Sequence, residues 1–322
     1  MLPRAPVALL VGAIAAGGVL VAVAEPAGAA SVSNEAELRA AFATDTSIDV
    51  EADITLTDCT GGGDVGRLAG VTDPVTIDGD GHTIRQTCRQ RVFFQGGSGL
   101  MTVRNLTITG GNAPGIGNGG GVLAASPLTL EDTRVIQNQS GGAGGGIASD
   151  GPTTIAGSTI DSNTSSGVGG GISTGPDAHT LVVTNSTVSN NVGGGIGTPA
   201  NDPDASVTVV NSTITANTNG GASLGSGIFS SGSTTLVYAT LVDNTAGNFG
   251  NLDTTTLESF GSVIARPNGS GNCLAGTTTS HGYNFSDDAL CGFTNPTDRA
   301  NAGDPQLGPL TDNGGPTRTL LP

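Results

Sequence analysis

The acidic side chains in the middle of the chain are the first candidates for catalysis. A glycoside hydrolase needs two or three convergent carboxylates, one of which has a raised pKa and acts as the general acid. On the repeated segments described below, the carboxylates are Glu131, Asp132, Asp150, Asp161 and Asp243. Their offsets differ from one segment to the next, so we expect acids of turns and of the solvated surface rather than a facing pair.

Basic residues and calcium ligands would indicate a lyase instead. Removal of a proton beside a uronate carboxylate needs a strong base, often Arg or Lys, together with calcium held by stacked carboxylates. The chain has no Lys, and residues 100–244 contain only Arg104 and Arg134. The run Asp78-Gly-Asp-Gly81 is too short to supply six calcium ligands, and Asp-Gly pairs are common in turns. We therefore predict a turn here, no metal site and no cofactor, with calcium as the alternative.

Aromatic side chains, on which sugars stack, are scarce in this sequence. The chain has no Trp and two Tyr residues, Tyr238 and Tyr283, which gives little support to an extended glycan cleft. The ordered motifs of polygalacturonases are also missing. Their nearest fragments are His281-Gly282 and Asp287-Asp288, which lie beyond the repeats. These residue types do not favour an enzyme.

The central part of the chain repeats one pattern, in which a β-rich run ends in Asn and a Gly-rich turn precedes an aliphatic residue. The Asn residues, spaced by 25, 28, 26 and 27 positions, are Asn138, Asn163, Asn191, Asn217 and Asn244. The last glycines of the Gly-rich turns are Gly121, Gly146, Gly171, Gly195 and Gly227. A period of this length indicates stacked units that cannot bury their apolar faces alone.

The repeats predict an all-β fold, a right-handed parallel β-helix. Gly, Thr, Ser, Asn and Val dominate, which excludes helical repeats. Apolar residues alternate, as at Val207 and Val209, in the manner of half-buried strands. One repeat forms one coil, and each coil rises by about 4.8 Å. Ile160 and Ile214 are expected to face the core.

The shared position of the five Asn residues predicts a structural column. Asn tolerates the left-handed backbone of a sharp turn, and stacked amides donate hydrogen bonds to their neighbours' carbonyls. An inward-pointing Asn could not carry a sugar. The Asn-x-Ser/Thr triplets that begin at Asn138 and Asn163 are therefore interpreted as by-products of the column, and two more such triplets begin at Asn185 and Asn211.

Composition and the N-terminus indicate an exported protein. The 322 residues include 54 Gly and carry a net charge of −16, which argues against binding to nucleic acid or to anionic membranes. Arg4 precedes an apolar run and a cluster of small residues at 26–30. This pattern predicts a signal peptide over residues 1–30 and a secreted or cell-surface protein. An uncleaved membrane anchor is the alternative.

Four cysteines in an exported chain predict two disulfides. Three pairings are open on sequence alone. The simplest joins Cys59 to Cys88 and Cys273 to Cys291, because each pair lies at one end of the repeats.

The ends of a solenoid must be capped. Residues 31–98 are expected to form an N-terminal cap and the first coils, with a capping-box helix that begins at Asn34 and closes the first coil. Residues 99–265 are the β-helix repeats. Residues 266–322 are expected to form an irregular, disulfide-containing C-terminal cap, with the Pro/Gly-rich part from Asp304 lying over the final coil.

The C-terminal segment carries the most specific resemblance to a known family. It contains Asn272-Cys273, His281-Gly-Tyr-Asn284, Cys291-Gly292, Asp304-Pro305 with Leu307-Gly-Pro-Leu310, and Asp312-Asn-Gly-Gly-Pro-Thr317. With these motifs the chain resembles secreted bacterial right-handed β-helix proteins of the choice-of-anchor Q type, and its Gly-Gly-Gly-Ile turns are similar to polymorphic outer-membrane protein repeats. The family continues past Leu-Leu-Pro to a variable anchor, so the chain is expected to be truncated and its mode of anchoring stays open. The resemblance implies the fold and export, and no particular activity.

Three functional hypotheses follow. The first is an exported or cell-surface scaffold for adhesion or interaction, non-catalytic and monomeric, whose ligand is an extracellular glycan or protein; the long repeated surface of a solenoid suits this role. The alternative is a polysaccharide lyase or glycoside hydrolase, which a stacked acidic cluster on one face would favour. The third is a calcium-dependent structural module.

Overall fold

The structure, a computed structural model, describes residues 28–60, 64–67, 70–178, 180–219, 226–247 and 249–322. Apart from one helix, Glu35–Thr44, its regular elements are short strands. Each strand pairs in parallel with the equivalent strands of the coils before and after it, as Arg134–Ile136, Thr159–Asp161 and Thr187–Ser189 do. The predicted all-β parallel solenoid is confirmed.

Sheet 1 consists of two columns of strands that meet at one corner of the coil. Column a contains Val65–Arg67, Phe93–Gln95, Val122–Ala124, Ile147–Ser149, Ile172–Thr174 and Ile196–Gly197. Column b contains Ala30–Val32, Ser47–Val50, Val75–Asp78, Met101–Arg104, Leu128–Glu131, Thr153–Ala156, Thr180–Thr184 and Ser206–Val210. The two columns fuse in the last coils, where three long strands run through both: Ile228–Val237, Phe249–Phe260 and Gly271–Ser280.

Sheets 2 and 3 complete each coil. Sheet 2 contains Ile54–Leu56, Thr83–Gln86, Thr107–Thr109, Arg134–Ile136, Thr159–Asp161, Thr187–Ser189, Thr213–Thr215, Thr240–Val242, Val263–Ala265 and Phe285–Ser286. Sheet 3 contains Asn112–Ala113, Gln139–Ser140 and Thr164–Ser165. Single bridges from Thr164 to Val192 and on to Thr218 extend sheet 3 toward the C-terminus.

The core is a narrow column of aliphatic side chains inside the coils. Alternate residues of the strands point inward, and Ile160 and Ile214 are completely buried. Val135 and Val188 lie in register with Ile160 on the neighbouring coils, so each inward side chain stacks on its equivalents above and below. Burial of a row of aliphatic residues in this way supplies the main stabilising free energy of the fold.

The helix closes the N-terminal end of this core. Asn34 caps it by accepting a hydrogen bond from the Glu37 N–H over 3.1 Å. Leu38, Ala41 and Phe42 are the buried residues of its inner face, and the Phe42 ring lies 5.3 Å from that of Phe93. The predicted capping helix is thereby confirmed.

Most of the predicted signal peptide, residues 1–27, lies outside the described residues. The described chain already forms a strand at Ala30–Val32, which pairs with Ser47–Val50. No helix in the described part of the chain is long and apolar enough to cross a membrane.

A disulfide lies at each end of the solenoid. Cys59 is joined to Cys88 beside the first coils, and Cys273 is joined to Cys291 beside the last. Cys291 and Phe293 both belong to the main core cluster, so the segment that follows the last coil covers the C-terminal end of the core.

The segment from Asp304 to the C-terminus does not lie over the final coil, and that expectation is wrong. It runs back along the outside of sheet 2, where the Thr187 hydroxyl donates to the Arg318 carbonyl over 2.6 Å and the Arg266 guanidinium donates to the Leu307 carbonyl over 2.9 Å. The physical reason is an apolar patch on the outside of the last sheet 2 strands. That patch and the tail residues packed on it are Val242, Val263, Ala265, Phe285, Leu307, Leu310 and Leu320.

Candidate interaction surface

The five Asn residues at the shared position form a continuous hydrogen-bonded column inside the solenoid. Asn163 Nδ2 donates to Asn191 Oδ1 over 3.0 Å and to the Val135 carbonyl over 2.9 Å. The same Asn191 oxygen accepts the backbone N–H of Asn163 over 3.0 Å. The other pairs have Nδ2 to Oδ1 distances of 2.9–3.0 Å: Asn138 to Asn163, Asn191 to Asn217, and Asn217 to Asn244. All five are at most 1% exposed, which leaves no room for an attached sugar.

The column residues do not themselves adopt the left-handed backbone, contrary to expectation. The residue before each Asn makes the turn, with φ between 55° and 59°: Gln137, Ser162, Asn190, Ala216 and Asp243. There is a physical reason why one residue makes the turn and the next forms the column. The preceding residue turns the chain with its side chain outside, which leaves the Asn side chain free to point inward.

The glycines of the repeats are required by close packing against these amides. A Cβ on Gly171 would lie 3.0 Å from Asn191 Nδ2 and 2.7 Å from the Gly195 carbonyl oxygen. The same short approach to an Asn amide, at 2.9–3.1 Å, occurs at the remaining four glycines, Gly121, Gly146, Gly195 and Gly227. The left-handed residue of the turn is again a different one, such as Gly169 with φ of 65°.

Two further residues, which the repeat pattern did not predict, extend the column. Asn244 Nδ2 donates to Asn251 Oδ1 over 2.8 Å, and Asn251 Nδ2 donates to Asn272 Oδ1 over 2.8 Å. Asn251 lies in the register of Gly227, and its coil has Pro267 in place of the column Asn. The Asn251 amide therefore takes the position of the missing column amide, which it reaches from the strand Phe249–Phe260. The available signal was an Asn between a Gly and an apolar residue, as in Gly250-Asn251-Leu252.

A second buried column, of hydroxyl groups, closes the corner between column b and sheet 2. The Ser158 N–H donates to Ser186 Oγ, and the Ser186 N–H donates to Ser212 Oγ, both over 3.0 Å. The residues before the last two, Asn185 and Asn211, are exposed and left-handed, with φ of 50° and 47°. The Asn-Ser-Thr triplets that begin there therefore have a structural role as turns.

Four of the five candidate catalytic carboxylates lie at different positions in the structure, and each has its own structural role. Asp243 is paired with Arg266 over 2.6 Å, and Asp161 accepts a hydrogen bond from Asn190 over 2.8 Å. Glu131 lies at the end of a column b strand, and Asp132 makes the left-handed turn that follows it. These four do not form a facing pair.

Asp150 is the exception, because a second carboxylate lies near it. Partial burial, followed by repulsion from Asp177, raises the pKa of Asp150 above its ordinary value. Asp150 also lines a shallow cavity of about 240 Å³ with Ser173 and Pro199. Asp177 does not line this cavity.

The predicted turn at Asp78 is held by an ion pair within the protein. Asp78 Oδ2 lies 2.8 Å from Arg104 Nε, and Asp78 Oδ1 accepts hydrogen bonds from the Asn105 amide and the Asp80 N–H, both over 3.2 Å. His82 Nδ1 lies 3.4 Å from Asp53 Oδ1. Among the described residues, no group of three or more His, Cys, Asp or Glu side chains could hold a metal ion.

The outward side of column b forms a surface that we call the flat face. It consists of the outward side chains of four successive strands: Thr154, Ala156, Thr180, Val182, Thr184, Ser206, Thr208, Val210, Ser233, Thr235 and Val237. The strands are in register, so Thr208 lies between Val182 and Thr235. None of these side chains is charged, whereas the chain as a whole carries a charge of −16.

Three aromatic rings border the flat face toward the C-terminus. The Tyr238 and Phe260 centroids are 5.3 Å apart, and those of Phe260 and Tyr283 are 6.0 Å apart, both in edge-to-face geometry. His281 Nε2 lies 3.7 Å from Glu258 Oε2 beside them. We call these five residues the aromatic corner. The two tyrosines are far apart in the sequence, and the structure brings them together.

Comparison with known proteins identifies the fold family. Residues 71–247, more than half of the chain, match the family model described as "Right handed beta helix region". No curated protein matches the chain. Of the solved structures, "L. reuteri 53608 SRRP" is 17% identical with a TM-score of 0.43, over 80% of this chain and 97% of that one. "L. reuters 100-23 SRRP" is 15% identical with a TM-score of 0.39, over 86% and 99%. With its parallel coils and this match, the chain belongs to the right-handed β-helix family.

Proposed function

We propose that this protein is an exported scaffold, displayed at the cell surface, that binds an extracellular ligand through the flat face without catalysis. The observation that carries the proposal is the flat face itself. Eleven outward positions on four successive coils lack any charge in a strongly acidic chain. A regular patch of hydroxyl and methyl groups can contact an extended ligand on several successive coils through both hydrogen bonds and apolar contacts.

Export is supported by the two disulfides and by the signal-peptide pattern. Cleavage after Ala29 would leave the strand Ala30–Val32 intact, whereas cleavage after Ala30 would shorten it by one residue. The resemblance to choice-of-anchor Q proteins supports display at the surface. The mass of the mature protein recovered from outside the producing cell tests this part, and a protein that retains residues 1–29 would contradict it.

The role of the flat face is tested with a pair of charge variants. Thr208→Lys with Val210→Lys places two cations in the middle of the face, at outward positions that leave the core intact. Gln139→Lys with Thr164→Lys adds the same charge to outward positions of sheet 3 and is the matched control. Retention of each protein is measured on immobilised neutral polysaccharides, acidic polysaccharides and extracellular matrix proteins.

At least one polymer is expected to retain the wild type and the control about tenfold better than the flat-face variant, because an unpaired charge buried at a contact weakens binding by at least about 1.4 kcal/mol, the equivalent of a tenfold change in affinity. Equal retention of all three proteins on every polymer, or retention on none, would contradict the proposal.

A glycoside hydrolase is the second candidate, and one observation favours it. Asp150 has a raised pKa and a neighbouring carboxylate, Asp177, as a general acid and its partner require. If this pair were catalytic, Asp150→Asn would abolish the release of reducing ends from a glycan. The same substitution leaves binding to the flat face unchanged under the first proposal.

A further inference from the structure

The aromatic corner contains the two most exposed aromatic rings among the described residues, Tyr238 and Tyr283. The whole sequence contains two Tyr and no Trp, and both tyrosines lie here. Tyr238 is 56% exposed and Tyr283 is 67% exposed, in contrast to Phe42 and Phe93, which are completely buried. Large exposed rings contribute nothing to the core, and clusters of them are typical of binding surfaces.

The local backbone holds the Tyr238 ring in place. Tyr238 occupies the left-handed corner position, with φ of 51°, that Asn185 and Asn211 occupy on the two preceding coils. Its ring packs over Gly261, where a Cβ would lie 2.8 Å from Cδ1 of the ring. Tyr238 therefore replaces the Asn that forms this turn on the preceding coils, and Gly261 on the next coil leaves room for its ring.

Polar groups lie beside the rings at positions where they are free to contact a ligand. Glu258 continues the row of Thr208 and Thr235, and His281 continues the row of Val210 and Val237 through Phe260. The Glu258 and His281 side chains are 60% and 44% exposed, and they lie 3.7 Å apart. The corner thus combines apolar ring surface with an acceptor and an imidazole.

The size of the corner matches a short stretch of a polymer. Tyr238 and Tyr283 are separated by two coils, about 10 Å at the spacing of parallel strands. This distance is close to the length of a disaccharide unit in an extended chain. The uncharged rows of the flat face lead away from the corner in the same direction.

We propose that the aromatic corner binds an extended neutral polysaccharide, with two sugar rings on Tyr238 and Tyr283 and the chain continuing over the flat face. The inference rests on the proposed function and names its ligand. The apolar C–H faces of a pyranose pack on aromatic rings, while its hydroxyls donate to Glu258 and hydrogen-bond with His281. A polyanionic glycan would be repelled by Glu258 and by the net charge, and a strongly cationic polymer would find no rows of acids on the flat face.

The intrinsic tyrosine fluorescence of the protein can be used to test this proposal. Without Trp, its intrinsic fluorescence comes from Tyr238 and Tyr283, so a ligand at the corner changes the signal directly. The purified protein is titrated with oligosaccharides of cellulose, chitin and starch, and in parallel with oligogalacturonate and a basic peptide. Affinities are then measured by calorimetry for Tyr238→Asn and Tyr283→Asn, which suit the left-handed backbone at φ of 51° and 59°. Leu274→Ala, at an exposed apolar residue of the strand Gly271–Ser280, is the control.

A saturable change with at least one neutral oligosaccharide, about tenfold weaker binding by each Tyr variant, and unchanged binding by Leu274→Ala are expected. The inference is overturned if only the acidic oligosaccharide or the peptide binds, or if the Tyr variants bind as tightly as the wild type. It is also overturned, with the proposed function left standing, if no oligosaccharide binds while the flat-face variant still loses retention on a protein surface.

Discussion

Two kinds of buried side chain close the corners of successive coils, an amide at one corner and a hydroxyl at another. Asn163 and Ser186 are examples, and each follows a left-handed residue, Ser162 or Asn185. The side-chain atoms satisfy backbone groups that the turns would otherwise leave unpaired inside the protein. In each pair of adjacent residues, the first turns the chain and the second forms hydrogen bonds inside the protein.

Loss of one amide from the column is expected to be costly. Asn191→Ala removes the acceptor of both the Asn163 N–H and the Asn163 Nδ2 group, leaving two buried donors unsatisfied. The free energy of unfolding from urea titration should fall by about 3 kcal/mol. Asn185→Gly, at an exposed left-handed position, serves as the control and should stay close to the wild type. A fall of similar size in both variants would contradict the role of the column.

At this scale the sequence gives a partial view of the structure. The period of the Asn residues could be recognised because every coil meets the same requirement at the same point. The residue that turns the chain could not be predicted, since intrinsic preference favours Asn138 for positive φ whereas the structure places it at Gln137, because the Asn side chain is needed inside the column. Asn251 was missed because it replaces the column Asn of its coil from a different strand, a compensation visible only once the coils are stacked.

Among the elements, each sheet 2 strand from Thr107–Thr109 to Val263–Ala265 contributes a single inward aliphatic side chain to the core. Ile160→Asp places an unpaired charge in the narrow core, at a cost of several kcal/mol, and should prevent folding. Thr154→Asp, on the same coil but outward and exposed, should express and melt like the wild type. Circular dichroism and soluble yield check both variants. Normal melting of Ile160→Asp would mean that the register of sheet 2 is wrong.

The helix at the N-terminal end makes stability depend on pH. Burial alone would raise the pKa of Glu35, but hydrogen bonds from Thr57, Arg39 and Asp58 together outweigh it and lower the pKa below the ordinary 4.5. A lowered folded-state pKa stabilises the protein above the unfolded value, and this stabilisation is lost as the pH falls. Glu35→Gln should therefore be less stable than the wild type at pH 7, and the difference should shrink below pH 4.5. Parallel urea titrations over that range test this, and a constant difference would contradict it.

The elements most visible in the sequence were those with a strict period. The position of the segment after Asp304 was predicted wrongly because Pro and Gly indicate that strands end but do not indicate where the chain then packs. Its destination follows from apolar residues that sheet 2 carries on its outside, Val242 and Val263, which Leu307 and Leu320 cover. An interruption of the alternation at Val242 was the available signal.

For the whole molecule, the stacking of coils turns distant residues into one surface. Tyr238 and Tyr283 lie at left-handed corner positions two coils apart, Gly261 occupies the corner of the coil between them, and the Phe260 ring contacts both tyrosine rings. The sequence could not show this, since the coil lengths change after Asn244. The flat face arises in the same way, from four strands whose outward residues are uncharged.

The solenoid is expected to be stable without metal. The Asp78 turn is closed by Arg104, and the described residues contain no cluster suited to a metal ion. A chelator should therefore leave the thermal unfolding transition unchanged, as measured by calorimetry with and without added calcium. A transition that falls with chelator and recovers with calcium would support the calcium-dependent module instead.

The most direct test of non-catalytic binding measures binding and product formation together. The mature protein is incubated with neutral and acidic polysaccharides, with and without calcium, while retention on the polymer, reducing ends and unsaturated-uronate absorbance are followed. If the protein binds without catalysis, retention on a neutral polysaccharide is expected with no product of either kind. Product from any substrate, above all product lost in Asp150→Asn, would contradict the central claim that the protein binds its ligand without catalysis.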